Sequence, residues 1–403
     1  MVNSVALKPP LTPEMLWDVD NYREQGVYFY LEETEALLPN GRVQVKGRGE
    51  MIMLGGYSYL GLIGHPHINQ AAAAAVSQYG TGTYGVRLLA GTLDLHTQLE
   101  QKLAEFKQTE AAVTFSSGYV TNLAVISCLL RRGDTVICDK LNHASIVDGC
   151  LLSQARMVRF RHNDMAHLER RLQEANPHGR KLVIVDAVFS MDGDVINLPE
   201  VVRLCRQYDA YLMVDEAHSI GVLGETGHGI EEHFDLPPDC IDIKMGTLSK
   251  TIPSAGGYAA GSAKLIDFLK HEARGFIFSA ALPPASAAAA KAALEVIENE
   301  PERVRRLDDN YRRFAGKLRA AGFNLLNTET AIVPVICGSL ENGVQLAHYC
   351  QQRGIFVQAI VAPVVPEGLA RLRATVTAVH RPEDLDYCAD VIIAGGQALG
   401  IIE

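Results

Sequence analysis

Between Gly55 and about Ala290, seven short apolar runs alternate with helical patterns: Ala111–Phe115, Thr135–Cys138, Met157–Phe160, Leu182–Asp186, Tyr211–Asp215, Ile241–Met245 and Gly257–Ala260. Strands that short, separated by helices, can bury both faces only as a mainly parallel sheet covered by helices on each side. The expected fold is therefore α/β, a mostly parallel seven-stranded sheet followed by a smaller C-terminal α/β domain. The Ala-rich stretch Pro283–Asn299 opens with two prolines, which suits a helix start, and bridges into that domain. Further strands are expected there at Ala331–Cys337, Ile355–Val357 and Leu372–Val376. With 403 residues the chain exceeds one ordinary core. The division expected is an N-terminal segment (1–55), a large domain (56–290) and a small domain (291–403). Residues 1–50 carry mixed helix signals, broken by turns at Asn40-Gly41 and Gly47-Arg48-Gly49.

The run Tyr211-Leu212-Met213-Val214-Asp215 delivers a carboxylate to the C-terminal edge of the sheet, where open α/β sheets place their ligands. His218 follows three residues later, and the next run ends in a loop of small residues carrying Lys250. An amine for a Schiff base, an anion for a pyridine nitrogen and an imidazole are what pyridoxal phosphate chemistry requires. Each alone is commonplace, a surface lysine or a capping aspartate; the set in this order points to that cofactor.

Other motifs carry less weight singly. Gly80-Thr81-Gly82-Thr83-Tyr84-Gly85 matches a dinucleotide fingerprint but follows the helical run Ala71–Gln78, not a strand, so it is read as a loop near a site. Ser116-Ser117-Gly118-Tyr119 lies between a strand and a helical pattern, which is a phosphate-binding arrangement as well as a plain helix cap. His143, in Asn142-His143-Ala144-Ser145, and Ser190, in Phe189-Ser190-Met191-Asp192-Gly193, fall at further strand ends. A satisfied structural histidine and an Asp-Gly turn explain these two equally well. The pairs His65/His67 and His228/His233 lack ligand partners at metal spacing, so no metal is expected. Eight scattered cysteines with no C-x-x-C pair read as reduced core thiols. The net charge of −10 argues against a nucleic-acid surface. Without a long apolar stretch or a signal-like N-terminus, no transmembrane segment and a cytoplasmic location are expected.

From about Gly55 to His380 the chain resembles the α-oxoamine synthase family of fold-type I pyridoxal phosphate enzymes. The resemblance rests on Tyr59-Leu60-Gly61-Leu62, Leu95-His96-x-x-Leu99-Glu100, Asn142-His143-Ala144-Ser145, Phe189-Ser190-Met191-Asp192-Gly193, Asp215-Glu216-Ala217-His218-Ser219-Ile220-Gly221, Gly246-Thr247-Leu248-Ser249-Lys250 and Ala370-Arg371-Leu372-Arg373. It implies that Lys250 holds the cofactor covalently and serves as base at the substrate Cα. Asp215 would pair with the ring nitrogen, His218 with the phenolic oxygen, and His143 would stack on the ring. Thr247 would contact the phosphate, with the Ser117-Gly118-Tyr119 turn supplying backbone amides, and Arg373 would bind the amino-acid carboxylate. Ser190 and Ser279 complete the expected cofactor contacts.

The activity implied is a decarboxylating condensation of an acyl thioester, carried on coenzyme A or a carrier protein, with a small L-amino acid. Tyr57 stands where most relatives carry Asn and the serine palmitoyltransferases carry Tyr, which favours that subgroup and serine as substrate. Ile252-Pro253-Ser254 replaces a Gly-containing stretch, Val86 precedes Arg87 where some relatives carry Ser or Thr, and Ala280 occupies a position that often reaches a neighbouring subunit's phosphate. A homodimer with a shared active site is implied. The alternatives are a secondary-metabolism synthase using glycine, alanine or another amino acid, a fold-type I aminotransferase, or a cofactor-free interaction protein.

Overall fold

The structure is a computed structural model that describes Arg23–Glu24, which are helical, and residues 30–403. The seven expected strands form one sheet: β4 (Ala111–Phe115), β5 (Thr135–Asp139), β6 (Arg156–Phe160), β7 (Lys181–Asp186), β8 (Tyr211–Asp215), β9 (Ile243–Thr247) and β10 (Gly257–Gly261). Their order is β4-β10-β9-β8-β7-β5-β6, and β10 alone runs against its neighbours. The period-two alternation of a strand sorts the core into two faces. Leu182, Ile184, Met213 and Val113 point into one apolar cluster, whereas Val183, Val185, Leu212 and Val214 point into the other. Residues at the strand ends consequently gather along one edge: Ser116–Gly118, His143, Asp186, Asp215, Lys250 and, because β10 is reversed, Gly257.

Residues 34–53 depart from the helix signals expected there. They form β1 (Thr34–Leu38), β2 (Arg42–Val45) and β3 (Gly49–Met53), an antiparallel meander. Asn40 and Gly41 both adopt positive φ in the first turn, and Val43, Val45 and Met51 make a small core of their own. The two turns were legible; the short alternating strands beside them were not. The meander is completed by β12 (Ile355–Phe356), parallel to β3. Near the C-terminus, β11 (Ile332–Gly338), β14 (Ala370–Thr375) and β13 (Ala359–Ile360) form a three-stranded antiparallel sheet.

The loop 189–194 locks this small sheet to the large one. Gly193, at φ 74, packs so closely on Ile332 that a Cβ would lie 2.3 Å from its carbonyl oxygen. The Gly193 carbonyl in turn accepts from Thr330 Oγ1 at 2.9 Å and from the Glu329 amide at 3.1 Å. Arg371 donates to Asp192 and to the Met191 carbonyl, and Arg373 Nε donates to the Ser190 carbonyl at 2.6 Å. His162, between β6 and the next helix, joins Asp139 at 3.0 Å and Asp194 at 2.8 Å beneath the same loop.

All eight cysteines are free. No helix among the described residues is long and apolar enough to cross a membrane.

Candidate active site

Asp215 ends β8 with both carboxylate oxygens engaged. Oδ1 accepts from the Ala217 amide at 2.9 Å, and Oδ2 accepts from Asn122 Nδ2 at 2.8 Å. The turn that follows brings His218 back over the strand end, where Nε2 lies 2.9 Å from Lys250 Nζ and Nδ1 lies 2.5 Å from the Tyr59 hydroxyl. Burial, reinforced by the charges of Lys250, Arg373 and His143, pushes the His218 pKa well below its ordinary range, so the imidazole is neutral. Burial also lowers the Lys250 amine to about 8, although Asp215 and Asp186 pull it upward. An amine with that pKa is free far more often at neutral pH than an exposed lysine, which suits it to nucleophilic attack on a carbonyl.

His143 caps the helix Ala144–Ser153, its Nδ1 2.8 Å from Ser145 Oγ. Its amide donates to Asp186 Oδ2 at 2.9 Å. Burial lowers the His143 pKa against the pull of Asp215. Burial and the nearby Asp215 raise the Asp186 carboxyl well above its usual range, and Asp186 Oδ1 has no partner.

Opposite these groups, Ser117 caps the helix Gly118–Leu129 by accepting from the Val120 amide. This helix entry is tightly built. A Cβ on Gly118 would lie 3.0 Å from Thr247 Oγ1, and one on Gly257 would lie 2.6 Å from the Gly118 Cα. Gly118 and Thr247 are thus brought together beside a helix N-terminus, where free amides and the helix dipole favour an anion. Tyr119 stands half-exposed with its hydroxyl on Asp148 and its ring edge-on to His143 at 6.3 Å.

A cavity of about 660 Å³ beside Lys250 extends to the β1–β2 turn, lined by Tyr57, Ser58 and Ser249, by the apolar Leu37, Val43 and Ile63, and by Arg42, His65 and Arg303. Tyr57 is 49% exposed along it. Arg373 reaches the same region from β14, held by the Ser190 carbonyl and by Thr375 Oγ1 at 3.0 Å, and its guanidinium faces the Tyr59 hydroxyl. Ser190 contributes here through its backbone.

Ser279 does not line the cavity of Lys250. It lies with Arg87, Ser116 and Phe276 behind the end of β4, and Ala280 bridges to Val86. The glycine-rich loop 80–85 follows a helix, as expected, and joins that same segment through the Gly85 carbonyl, which accepts from the Ala281 amide. Three buried residues that touch the expected set went unread in the sequence: Tyr59, Asn122 and Asp186. Asp186 carried a signal, since it ends the strand beside Asp215 as its register partner. Asn122 offered only an amide inside a mostly apolar helix.

These groups fit pyridoxal phosphate. A buried amine, a carboxylate held by two donors, a neutral imidazole at a helix cap and a small-residue helix entry converge on one sheet edge, with an unpartnered Asp186 oxygen among them.

Residues 49–392 match the family model for class I and II aminotransferases. Over 97% of its length the chain is 46% identical to the whole of the 8-amino-7-oxononanoate synthase of Geobacter sulfurreducens. It is equally identical, over 93% of its length and 95% of the relative's, to 8-amino-7-oxononanoate synthase 1 of Bacillus subtilis. Among solved structures, serine palmitoyltransferase of S. paucimobilis with PLP and myriocin bound superposes with a TM-score of 0.92 at 34% identity, covering 95% of this chain and 96% of that one. The chain therefore belongs to the class I and II aminotransferase family, with the fold of pyridoxal phosphate-dependent transferases. Within that family it is an α-oxoamine synthase, a C-acyltransferase that uses pyridoxal phosphate. Its general reaction joins an acyl thioester to an amino acid with loss of carbon dioxide.

Proposed function

We propose that this chain condenses an acyl thioester with L-alanine, releasing carbon dioxide, the free thiol and an α-amino ketone. The observation that carries the reading is the convergence of Lys250 with His218, Asp215 and His143 at the strand ends, beside a cavity that Lys250 lines. The polar groups around Lys250 suit an amino acid, and the apolar Leu37, Val43 and Ile63 of the same cavity suit an acyl chain. Alanine is favoured by 8-amino-7-oxononanoate synthases that are 42–46% identical to this chain. A nine-carbon product with its amine on C8 and ketone on C7 has a three-carbon CH3–CH(NH2)–CO end, in which the first two carbons match alanine after decarboxylation.

L-Serine is the second reading. It is favoured by Tyr57, which lines the cavity of Lys250 with its hydroxyl-bearing ring half-exposed.

In this reading Lys250 carries the cofactor and moves the Cα proton, its pKa near 8 matching both tasks. The bound cofactor supplies an electron sink for the carbanion. Asp215 keeps the ring nitrogen cationic, His143 packs on the ring face, and His218, fixed by Tyr59, orients the phenolic side. The amides at Gly118 and Tyr119 with the Thr247 hydroxyl hold the phosphate. Arg373 and Tyr57 grip the substrate carboxylate. Residues 56–290 constitute the cofactor domain and 291–403 the smaller domain that carries Arg373. A second copy completes the site: the loop 80–91 and the Ser279 segment expose Tyr84 (97%), Leu89 (85%) and Phe278 (70%), more apolar surface than single residues on a monomer account for.

The test is to incubate the holoenzyme with a panel of amino acids and medium-chain acyl-CoA thioesters while measuring free thiol and carbon dioxide. Release of both in equal amounts, greatest with alanine, is expected. Keto-acid formation without thiol release would make the protein an aminotransferase, and a serine optimum would select the second reading.

A further inference from the structure

Asn122 sits in the second turn of the helix Gly118–Leu129 and is 1% exposed. Its single side-chain nitrogen makes two hydrogen bonds, donating to Asp215 Oδ2 at 2.8 Å and to Ser145 Oγ at 2.9 Å. The amide oxygen has no partner. Turning the amide over would set that oxygen against a carboxylate oxygen, so the orientation is fixed as long as Asp215 is ionised. Because Ser145 Oγ already accepts from Asn122, its own proton is free to go to His143 Nδ1, 2.8 Å away. The Ser145 amide points at the same nitrogen from 3.3 Å. His143 Nδ1 is thereby made an acceptor, which leaves the ring neutral with its proton on Nε2.

We infer that Asn122 is a positioning residue that acts on two groups at once, presenting a fixed donor to the Asp215 carboxylate and, relayed through Ser145, holding His143 in its neutral Nε2–H form. The inference rests on the roles proposed above for Asp215 and His143. Both effects serve the same end: a carboxylate beside the ring nitrogen would keep that nitrogen protonated, so that the ring draws electrons inward, and an imidazolium packed on the cationic ring would oppose this by like-charge repulsion. The setting makes the arrangement costly to replace. Asp186 from β7 and Lys250 from beyond β9 also face Asp215, and the helix carrying Asn122 packs so tightly on the helix carrying Ser145 that a Cβ on Gly149 would lie 3.0 Å from the Asn122 carbonyl oxygen.

The experiment compares holoenzymes carrying Asn122→Leu, Asn122→Asp and Ser145→Ala by following the visible cofactor band against pH beside steady-state kinetics. Asn122→Leu is expected to move the midpoint of the band's titration and to lower kcat by about 10- to 100-fold, the scale of one hydrogen bond to a charged group, with amino-acid KM little changed. Ser145→Ala is expected to lower kcat less and leave the midpoint in place, since it severs only the His143 branch. Asn122→Asp keeps the shape and tests the idea even where Asn122→Leu does not fold. One proton shared with Asp215 restores a donor, so its activity relative to wild type is expected to rise as pH falls. Variants whose midpoint, kcat and pH profile match wild type would overturn the inference. A wild-type protein that shows no visible band after reconstitution would instead overturn the cofactor assignments on which it stands.

Discussion

The Lys250 amine lies 2.9 Å from Nε2 of His218. With the amine protonated and donating, the single proton of the neutral His218 ring sits on Nδ1 and is given to the Tyr59 oxygen, 2.5 Å away. Lys250 is thus aimed by a buried aromatic chain rather than left to wander on four methylenes. Lys250→Ala is expected to lose the visible band of the covalently held cofactor and the adduct that borohydride traps. A variant that keeps a reducible adduct, found by mass spectrometry on a peptide lacking residue 250, would place the attachment elsewhere.

Asp215→Asn should retain cofactor but lose turnover by orders of magnitude. A unit-charge pair at about 3 Å is worth on the order of 5 kcal/mol at an effective dielectric near 20, which is several decades in rate where fully expressed. Near wild-type kcat in the substituted enzyme would remove Asp215 from this role.

Arg373 offers a planar fork, of which Nε already holds the Ser190 carbonyl. Lysine cannot keep that bond and also reach a substrate. Arg373→Lys should therefore raise the amino-acid KM by roughly 10- to 100-fold, whereas Tyr57→Phe should cost about 1 kcal/mol, one neutral hydrogen bond. Binding isotherms for the amino acid alone check both, and an unchanged affinity in Arg373→Lys would exclude the carboxylate role.

Burial alone would lower the His162 pKa, but hydrogen bonds to Asp139 and Asp194 dominate and raise it to about 10. The folded value lies above the ordinary 6.5, so the contribution to stability is complete below pH 6.5, declines upward from there and is gone by pH 10. His162→Gln should lower the melting temperature most at pH 6 and hardly at all at pH 10. A constant difference across that range would show that the imidazolium is not the source.

Mixing Lys250→Ala subunits with subunits inactivated in the Ser279 segment should restore up to about a quarter of the sites if chains assort at random in a two-fold dimer. A protein that sediments as a monomer and is fully active at nanomolar concentration would argue against a shared site.

The large sheet was legible because each of its strands is a short apolar run, and the two-sided burial of Leu182–Val185 and Leu212–Val214 leaves no other packing. Strand limits slipped by a residue or two, as at β9, which starts at Ile243 and ends at Thr247 rather than spanning Ile241–Met245. The groups at strand ends were legible for the same reason, since the chain must turn there. Tyr59, Asn122 and Ser145 were not assigned roles, because what gives them meaning is a contact across the fold. Asn122 meets Asp215 from 93 residues away and Tyr59 meets His218 from 159. The Ser279 segment was legible as a motif, and within one chain it lies with Arg87, Ser116 and Phe276; its place in the site depends on the second copy proposed above.

The loop 189–194 has a consequence for how such an enzyme changes its taste. Arg371 and Arg373 grip neighbouring carbonyls of one loop, and Gly193 rivets that loop to Ile332. In the proposed reading, the span between Lys250, which moves the proton, and Arg373, which holds the acid, is therefore set by a joint, as the opening of a calliper is set by its hinge. A substitution at Gly193 or Thr330, touching no substrate, should shift which amino acid fits, because the jaws would close on a different width.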